Sequence, residues 1–145
     1  MLYVDYVILK QSYDESLRRL KELLDKKEEA FTRTLPNAIR YDLTKVIHSV
    51  STNSALDDYV MNIEAIEQEI RRARVIVYER KEMLNLKEEE LRASRDTNDR
   101  IYVMRYLDNR KVSEIARKLN YVQETIYKRL NKIDKDTKFY NRPIL

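Results

Sequence analysis

"VSEIARKLNYVQETIYKRLN" occupies residues 112–131, and its spacing decides the fold. Ile115, Ala116 and Leu119 share one side of a first helical stretch; Ile126 and Leu130, with Ile133 just beyond, share one side of a second. Two helices crossing near a right angle on a three- or four-residue turn need a small residue where they approach. They also need an apolar residue three positions later and a turn residue able to reach a left-handed backbone. Ala116, Leu119 and Asn120 fill those places, with Asn standing in for the usual Gly. Ser113 is expected to cap the first helix and Tyr121 to plug the turn. The stretch has helix-turn-helix spacing.

The second helix then presents Gln123, Glu124, Tyr127, Lys128 and Asn131 outward. In a major groove Gln can bond adenine bidentately, Glu accepts from cytosine, and Lys reaches guanine or phosphate. Arg110, Lys111, Arg117, Arg129 and Lys132 surround them as candidate phosphate contacts, which position a protein without specifying sequence. Glu124 would repel a phosphate, so a base is its expected neighbour. The bland alternative is a three-helix bundle with solvated charges, since Ala, Leu and Ile at these offsets also suit ordinary packing.

Upstream, "RIYVMRYL" reads as a helix burying Ile101, Met104 and Leu107, and "DNRK" as a polar bend. Thr97 or Asn98 can cap this helix, with Asp99 in its first turn. Residues 97–135 are therefore expected to form a small helical domain, followed by a basic tail at 136–145.

From Ala55 to about Ser94 no Pro or Gly occurs, and Leu56, Ile63, Ile70, Val77, Leu84 and Leu91 stand seven apart. Ile66 and Ala73 supply companion positions, which Arg80 and Lys87 occupy later. This predicts one long helix with a narrow apolar seam. Such a seam needs a partner: either residues 13–31 folding back as an antiparallel hairpin, or a second copy of the chain in a homodimer. Residues 13–31 show Tyr13, Leu17, Leu20, Leu24 and Phe31 at helical spacing. Between them, residues 32–54 read as a connector with room for a short helix or turn, because Pro36 disfavours helix at Leu35 and Ser51 to Ser54 is turn-like. The expected arm spans 1–95.

Composition bounds the chemistry. The chain has 145 residues, no glycine and no cysteine. Without glycine, positive-φ turns fall to Asn or Asp and short hairpins become hard to build, so an all-α fold is expected. Without cysteine and with His48 alone, disulfides, thiolate metal sites and His-based triads are excluded or nearly so. No cofactor, no metal and no enzymatic activity are expected. The run "KEEEL" at 87–91 reads as a solvated helix face, because consecutive helical residues point apart. No run of 18 apolar residues and no signal peptide are found, which predicts a cytoplasmic protein without membrane contact. From Thr97 onward 12 Lys and Arg face 6 Asp and Glu, against 17 and 19 in the preceding 96 residues. The basic charge lies with the helix-turn-helix spacing, as nucleic-acid binding requires.

"IYVMRYLDNRKVSEIARKLNYVQETIYKRLNKI", residues 101–133, resembles region 4 of sigma-70-type transcription initiation factors. The whole chain is similar to small phage and prophage regulators with a C-terminus of that type, the ArpU and RinA types of late-gene activator. Their connector is similar in flavour to "TLPNAIRYDLTKVIHSVSTNSALDDYVMNI", residues 34–63. The likeness covers about 35–134 and is closest over 99–133. It implies double-stranded DNA as a partner, read by Val122, Gln123, Glu124, Tyr127 and Lys128, with Arg110, Lys111 and Ser113 facing phosphate and host RNA polymerase within reach. Val122 departs from the family's Ser or Thr at the start of the recognition helix, removing a cap and a phosphate donor.

The expectation is therefore a DNA-binding transcriptional regulator of phage or prophage origin, activating late genes with host RNA polymerase. Nothing in the arm resembles a promoter-opening domain, which points away from a self-sufficient initiation factor. Two rivals stand beside it: a small terminase-like packaging protein, distinguished by a many-subunit ring, and a polymerase-binding interaction protein, distinguished by weak salt-dependent DNA affinity.

Overall fold

The computed structural model describes residues 1–39 and 50–138, with side chains for 1–32 and 56–138. All regular structure among them is helical. Helix α1 is Leu2–Ile39 and α2 is Val50–Ala93. Helix α3, Thr97–Tyr102, runs on into a π-helical turn at Val103–Leu107. Helices α4, Val112–Leu119, and α5, Gln123–Thr137, complete the order. None of these helices is long and apolar enough to cross a membrane.

The expected connector at 32–54 is mostly replaced by helix at its two ends. Helix α1 continues through Leu35 and Pro36, and α2 already begins at Val50, taking in Ser51 to Ser54. Pro36 lies in the final turn of α1, where its missing N–H forfeits a single backbone bond. Residues 40–49 of the connector, including His48, and the tail beyond Lys138 lie outside the described residues.

The chain divides into two units, Glu15–Glu79 and Met1–Asp14 with Arg80–Leu145. In the first, the heptad of α2 is the buried edge: Ile66, Ile70 and Ala73 are buried, and Leu56, Ile63 and Val77 are half-buried. They pack on Leu23, with Leu20 and Ala30 beside it. Arg19 reaches Glu69 at 3.8 Å and Lys27 reaches Glu67 at 3.2 Å, so the two stretches run antiparallel. Such half-exposed pairs add at most about 1 kcal/mol each and serve mainly to fix register.

The inner edge of α1 is not the one the spacing suggested. Leu20 faces inward, but Ser16 and Leu23 are buried where Leu17 and Leu24 were expected, and Phe31 is exposed. Residues 13, 16, 20, 23, 27 and 30 form the inward repeat. It admits Ser16 and Lys27, which an apolar count passes over.

The second unit corrects the expected division at residue 95. Residues 1–14 and 80–93, assigned to the arm, share a core with α3, α4 and α5: Tyr3, Tyr6, Val7, Leu84 and Leu91 join Ile101, Ile115, Ile126 and Ile133. Arg80, at a seam position of α2, donates from Nη1 to the Ser12 carbonyl at 2.8 Å, and the Lys81 ammonium sits 5.1 Å from the centre of the Tyr13 ring. Three tyrosines gather around the Tyr102 ring, Tyr3 stacked, Tyr6 edge-on and Tyr106 tilted. Tyr102 lies 5.8 Å from Tyr3, 6.1 Å from Tyr6 and 4.9 Å from Tyr106, ring centre to ring centre. Burial, and next Tyr6, pushes the Tyr102 phenol up to about 12.

Asp99 ties this unit together. Expected to serve the first turn of its own helix, it is 2% exposed and accepts the Tyr3 backbone N–H at 3.2 Å and the Ser94 hydroxyl at 2.7 Å. Tyr3 is the second residue of α1, so its N–H has no partner within that helix, and Asp99 caps α1 from 96 positions away. No side-chain cap is formed at Asp96, the residue before α3. At the other end of the ring, the Tyr3 hydroxyl donates to Asp136 Oδ2 at 2.6 Å, so α1 is bound to α5 as well. Burial, then that bond, raises the Tyr3 phenol above its ordinary value.

Candidate nucleic-acid interface

Helix α4 ends where a glycine would be usual. Asn120 takes φ 59° and ψ 41°, and the Tyr121 N–H bonds the Ala116 carbonyl at 2.9 Å, which closes the helix and turns the chain. After Asn120, Tyr121 and Val122, α5 begins at Gln123. Ala116 is buried and Leu119 half-buried at the turn, as their sizes require. Asn109 is the other non-glycine residue at positive φ among the described residues, at 53°. Both left-handed positions among the described residues of this glycine-free chain are thus asparagines.

Asn109 follows the π-helical turn. There the Asp108 N–H reaches the Val103 carbonyl at 2.9 Å and the Arg110 N–H reaches that of Met104 at 2.9 Å. Arg92 fastens this bend to the end of α2, bonding Asp108 at 3.2 Å and Glu88 at 3.1 Å. Asp108, then Glu88, holds the guanidinium above its ordinary pKa. The bend delivers Arg110 and Lys111 to the start of α4.

Helix α5 buries Ile126, Leu130 and Ile133 and turns the opposite side outward. Gln123, Glu124, Tyr127, Lys128 and Asn131 are all exposed, at the three- and four-residue spacings that set them on one face. Val122 precedes them as the N-cap, 70% exposed and making no capping bond. All six expected base-facing residues are therefore solvent-accessible on one helix and its cap.

The expected phosphate contacts divide. Lys111, Ser113, Arg117 and Lys132 are exposed, and Arg110 is half-buried. Ser113 does not cap α4, whose N-cap is Lys111 without a side-chain bond. Arg129 is half-buried and already engaged, donating from Nη1 to Asn98 Oδ1 at 3.0 Å while its guanidinium lies 5.5 Å from the Tyr121 ring centre. Tyr121 does not plug the turn; it is exposed and carries Arg129 on its face. Arg129 thus joins α5 to the start of α3 and holds the turn's aromatic ring.

What the spacing missed is the support behind this face. Tyr106, whose ring packs tilted against Tyr102, donates its hydroxyl to Asp134 on α5, and burial followed by that bond raises its pKa. Together with Tyr3 and Asp136, two tyrosines from distant segments grip the C-terminal half of α5. Asp134 and Asp136, two residues apart, are visible in the sequence; that Tyr106 and Tyr3 reach them is not. No protein family, curated protein or solved structure matches the chain.

Proposed function

We propose that this chain is a sequence-specific DNA-binding transcriptional regulator of phage or prophage origin. In this reading α4 and α5 are a helix-turn-helix of the sigma region 4 type, and the protein activates late genes at promoters together with host RNA polymerase. The observation that carries the proposal is the outward face of α5. Val122, Gln123, Glu124, Tyr127, Lys128 and Asn131 lie exposed on it, immediately after the left-handed turn at Asn120. Gln, Glu, Lys and Asn are the side chains that discriminate base edges in a major groove.

Lys111, Ser113, Arg117 and Lys132 would meet the phosphates on either side, and Arg110 at the bend adds a fifth contact. Arg129 is assigned a positioning role instead, because Asn98 and Tyr121 already occupy it.

The test is selection of bound duplexes from host and phage genomic fragments at near-physiological salt, with and without host RNA polymerase. Enrichment of one upstream site is expected, and Gln123→Ala or Glu124→Ala should change the preferred sequence by about 1–3 kcal/mol per lost base contact. Arg110→Ala and Lys111→Ala should weaken all duplexes alike and flatten the salt dependence. Unaltered preference in both α5 variants would remove the readout model.

A further inference from the structure

The α2 seam, expected to be covered either by residues 13–31 or by a second copy of the chain, is closed from within, since Ile66, Ile70 and Ala73 pack on Leu23 of the same chain. A different edge of α1 is open. Leu17, Leu24 and Phe31 stand seven residues apart and are 39%, 39% and 54% exposed. Lys21 and Glu28 alternate with them at spacings of four and three and are exposed too. Residues 17, 21, 24, 28 and 31 therefore form a second heptad stripe roughly 21 Å long on this helix. Single exposed hydrophobics need no explanation, but three in register with intervening charges do.

The order along the stripe is apolar, cation, apolar, anion, apolar. Turned end for end, the same order sets each Lys21 against Glu28 of the second copy, Leu24 against Leu24 and Leu17 against Phe31. Parallel pairing would set Lys against Lys and Glu against Glu. Neither Lys21 nor Glu28 makes an ion pair among the described residues, whereas Arg18 one turn away is taken by Glu22 at 3.8 Å. A charged residue within an apolar seam is the usual device for choosing partner orientation.

We infer that this stripe is a homodimer interface, in which two copies pair antiparallel through α1 about a twofold axis at Leu24. Leu17, Leu24 and Phe31 supply the buried area, and the two Lys21–Glu28 contacts set direction and register. The interface uses residues of the Glu15–Glu79 unit alone and stands apart from the DNA-binding reading. Either proposal can fail without the other.

Because the chain has no cysteine, one introduced thiol is the only one present. Under mild oxidation Leu24→Cys should give a disulfide-linked dimer, Leu17→Cys or Phe31→Cys alone should not, and a mixture of those two variants should. In sedimentation equilibrium at micromolar concentration, Lys21→Glu should weaken the dimer about tenfold, and Lys21→Glu with Glu28→Lys should restore it, with helicity by circular dichroism unchanged throughout. A monomeric or larger wild-type mass would overturn the proposal. So would equal cross-linking by all three single variants, or a mass indifferent to charge reversal.

Discussion

Replacing Asp99 with alanine should release the start of α1 from the helices that follow it. The carboxylate is 2% exposed and accepts two bonds, from the Tyr3 N–H at 3.2 Å and from Ser94 Oγ at 2.7 Å. A hydrogen bond to a charged group contributes about 1.5–3 kcal/mol, and a buried donor left without a partner costs about 1–3 kcal/mol. The Ser94 hydroxyl is half-buried and can turn toward water, so its bond counts only in part. The expected loss is about 3 kcal/mol for Asp99→Ala and about 1 kcal/mol for Asp99→Asn, which keeps an acceptor for Tyr3 but not the charge. At about 2–4 °C per kcal/mol for a chain of this size, the alanine variant should melt roughly 6–12 °C lower. The chain has eleven tyrosines and no tryptophan, so the near-ultraviolet circular dichroism difference between Asp99→Ala and wild type should carry the loosening of the Tyr3, Tyr6, Tyr102 and Tyr106 cluster. Ser94→Ala in the Asp99→Ala background should cost less than Ser94→Ala alone, because the bond is already gone. A loss under about 0.5 kcal/mol for Asp99→Ala would refute the claim that this carboxylate holds α1 in place.

Four further outcomes follow from the same geometry. Asn120→Gly should be neutral or mildly stabilising, while Asn120→Ala should cost about 1–2 kcal/mol in urea unfolding, since an L-residue at φ 59° strains its Cβ. Val122→Ser should add about 1 kcal/mol of stability by capping α5, with no change in fold by circular dichroism. Tyr102, its pKa raised from 10.0 to about 12 by burial, favours the neutral phenol in the folded state. That stability is complete below about pH 10 and is lost as pH rises toward about 12, by up to about 2–3 kcal/mol at roughly 1.4 kcal/mol per unit. Urea titrations at about pH 8 and pH 11.5 should therefore show a smaller alkaline decline for Tyr102→Phe than for wild type. Ile70→Asp, placing a carboxylate among Leu23, Ile66 and Ala73, should cost at least about 3 kcal/mol and lower helicity; an unchanged melting curve would mean the seam is not buried.

The parts legible in the sequence were those whose partners are near in the chain or whose spacing is regular. The heptad of α2 turned inward as read, and Ile115, Ala116, Ile126, Leu130 and Ile133 took the inner side of α4 and α5. Asn120 adopted the left-handed turn because a chain without glycine has few other residues for it. The seam of α1 was misread because two heptad stripes share that helix: one inward, passing through Ser16 and Lys27, the other through Leu17, Leu24 and Phe31. An apolar count cannot separate them when the inward stripe carries polar residues. Tyr3 and Tyr6 escaped assignment since their partners, Asp99, Tyr102 and Asp136, lie about a hundred positions away. Asp99 is expected only in the first turn of its own helix, and nothing local shows that its partner is the beginning of α1. Among the site residues, exposure on α5 followed from spacing, whereas the engagement of Arg129 with Asn98 and Tyr121 depends on where α3 passes.

The sharing of one core by residues 1–14 and 80 onward sets an order of events during synthesis. Translation proceeds at about 5–20 residues per second, so Tyr3, Tyr6 and Val7 leave the ribosome several seconds before Ile101 and Ile126 exist to receive them. The α4–α5 segment is made late, but the residues that pack behind it are made first and must wait. Closing that long loop is an entropic toll that a domain contiguous in sequence avoids, so this unit should refold more slowly than its helix content alone suggests.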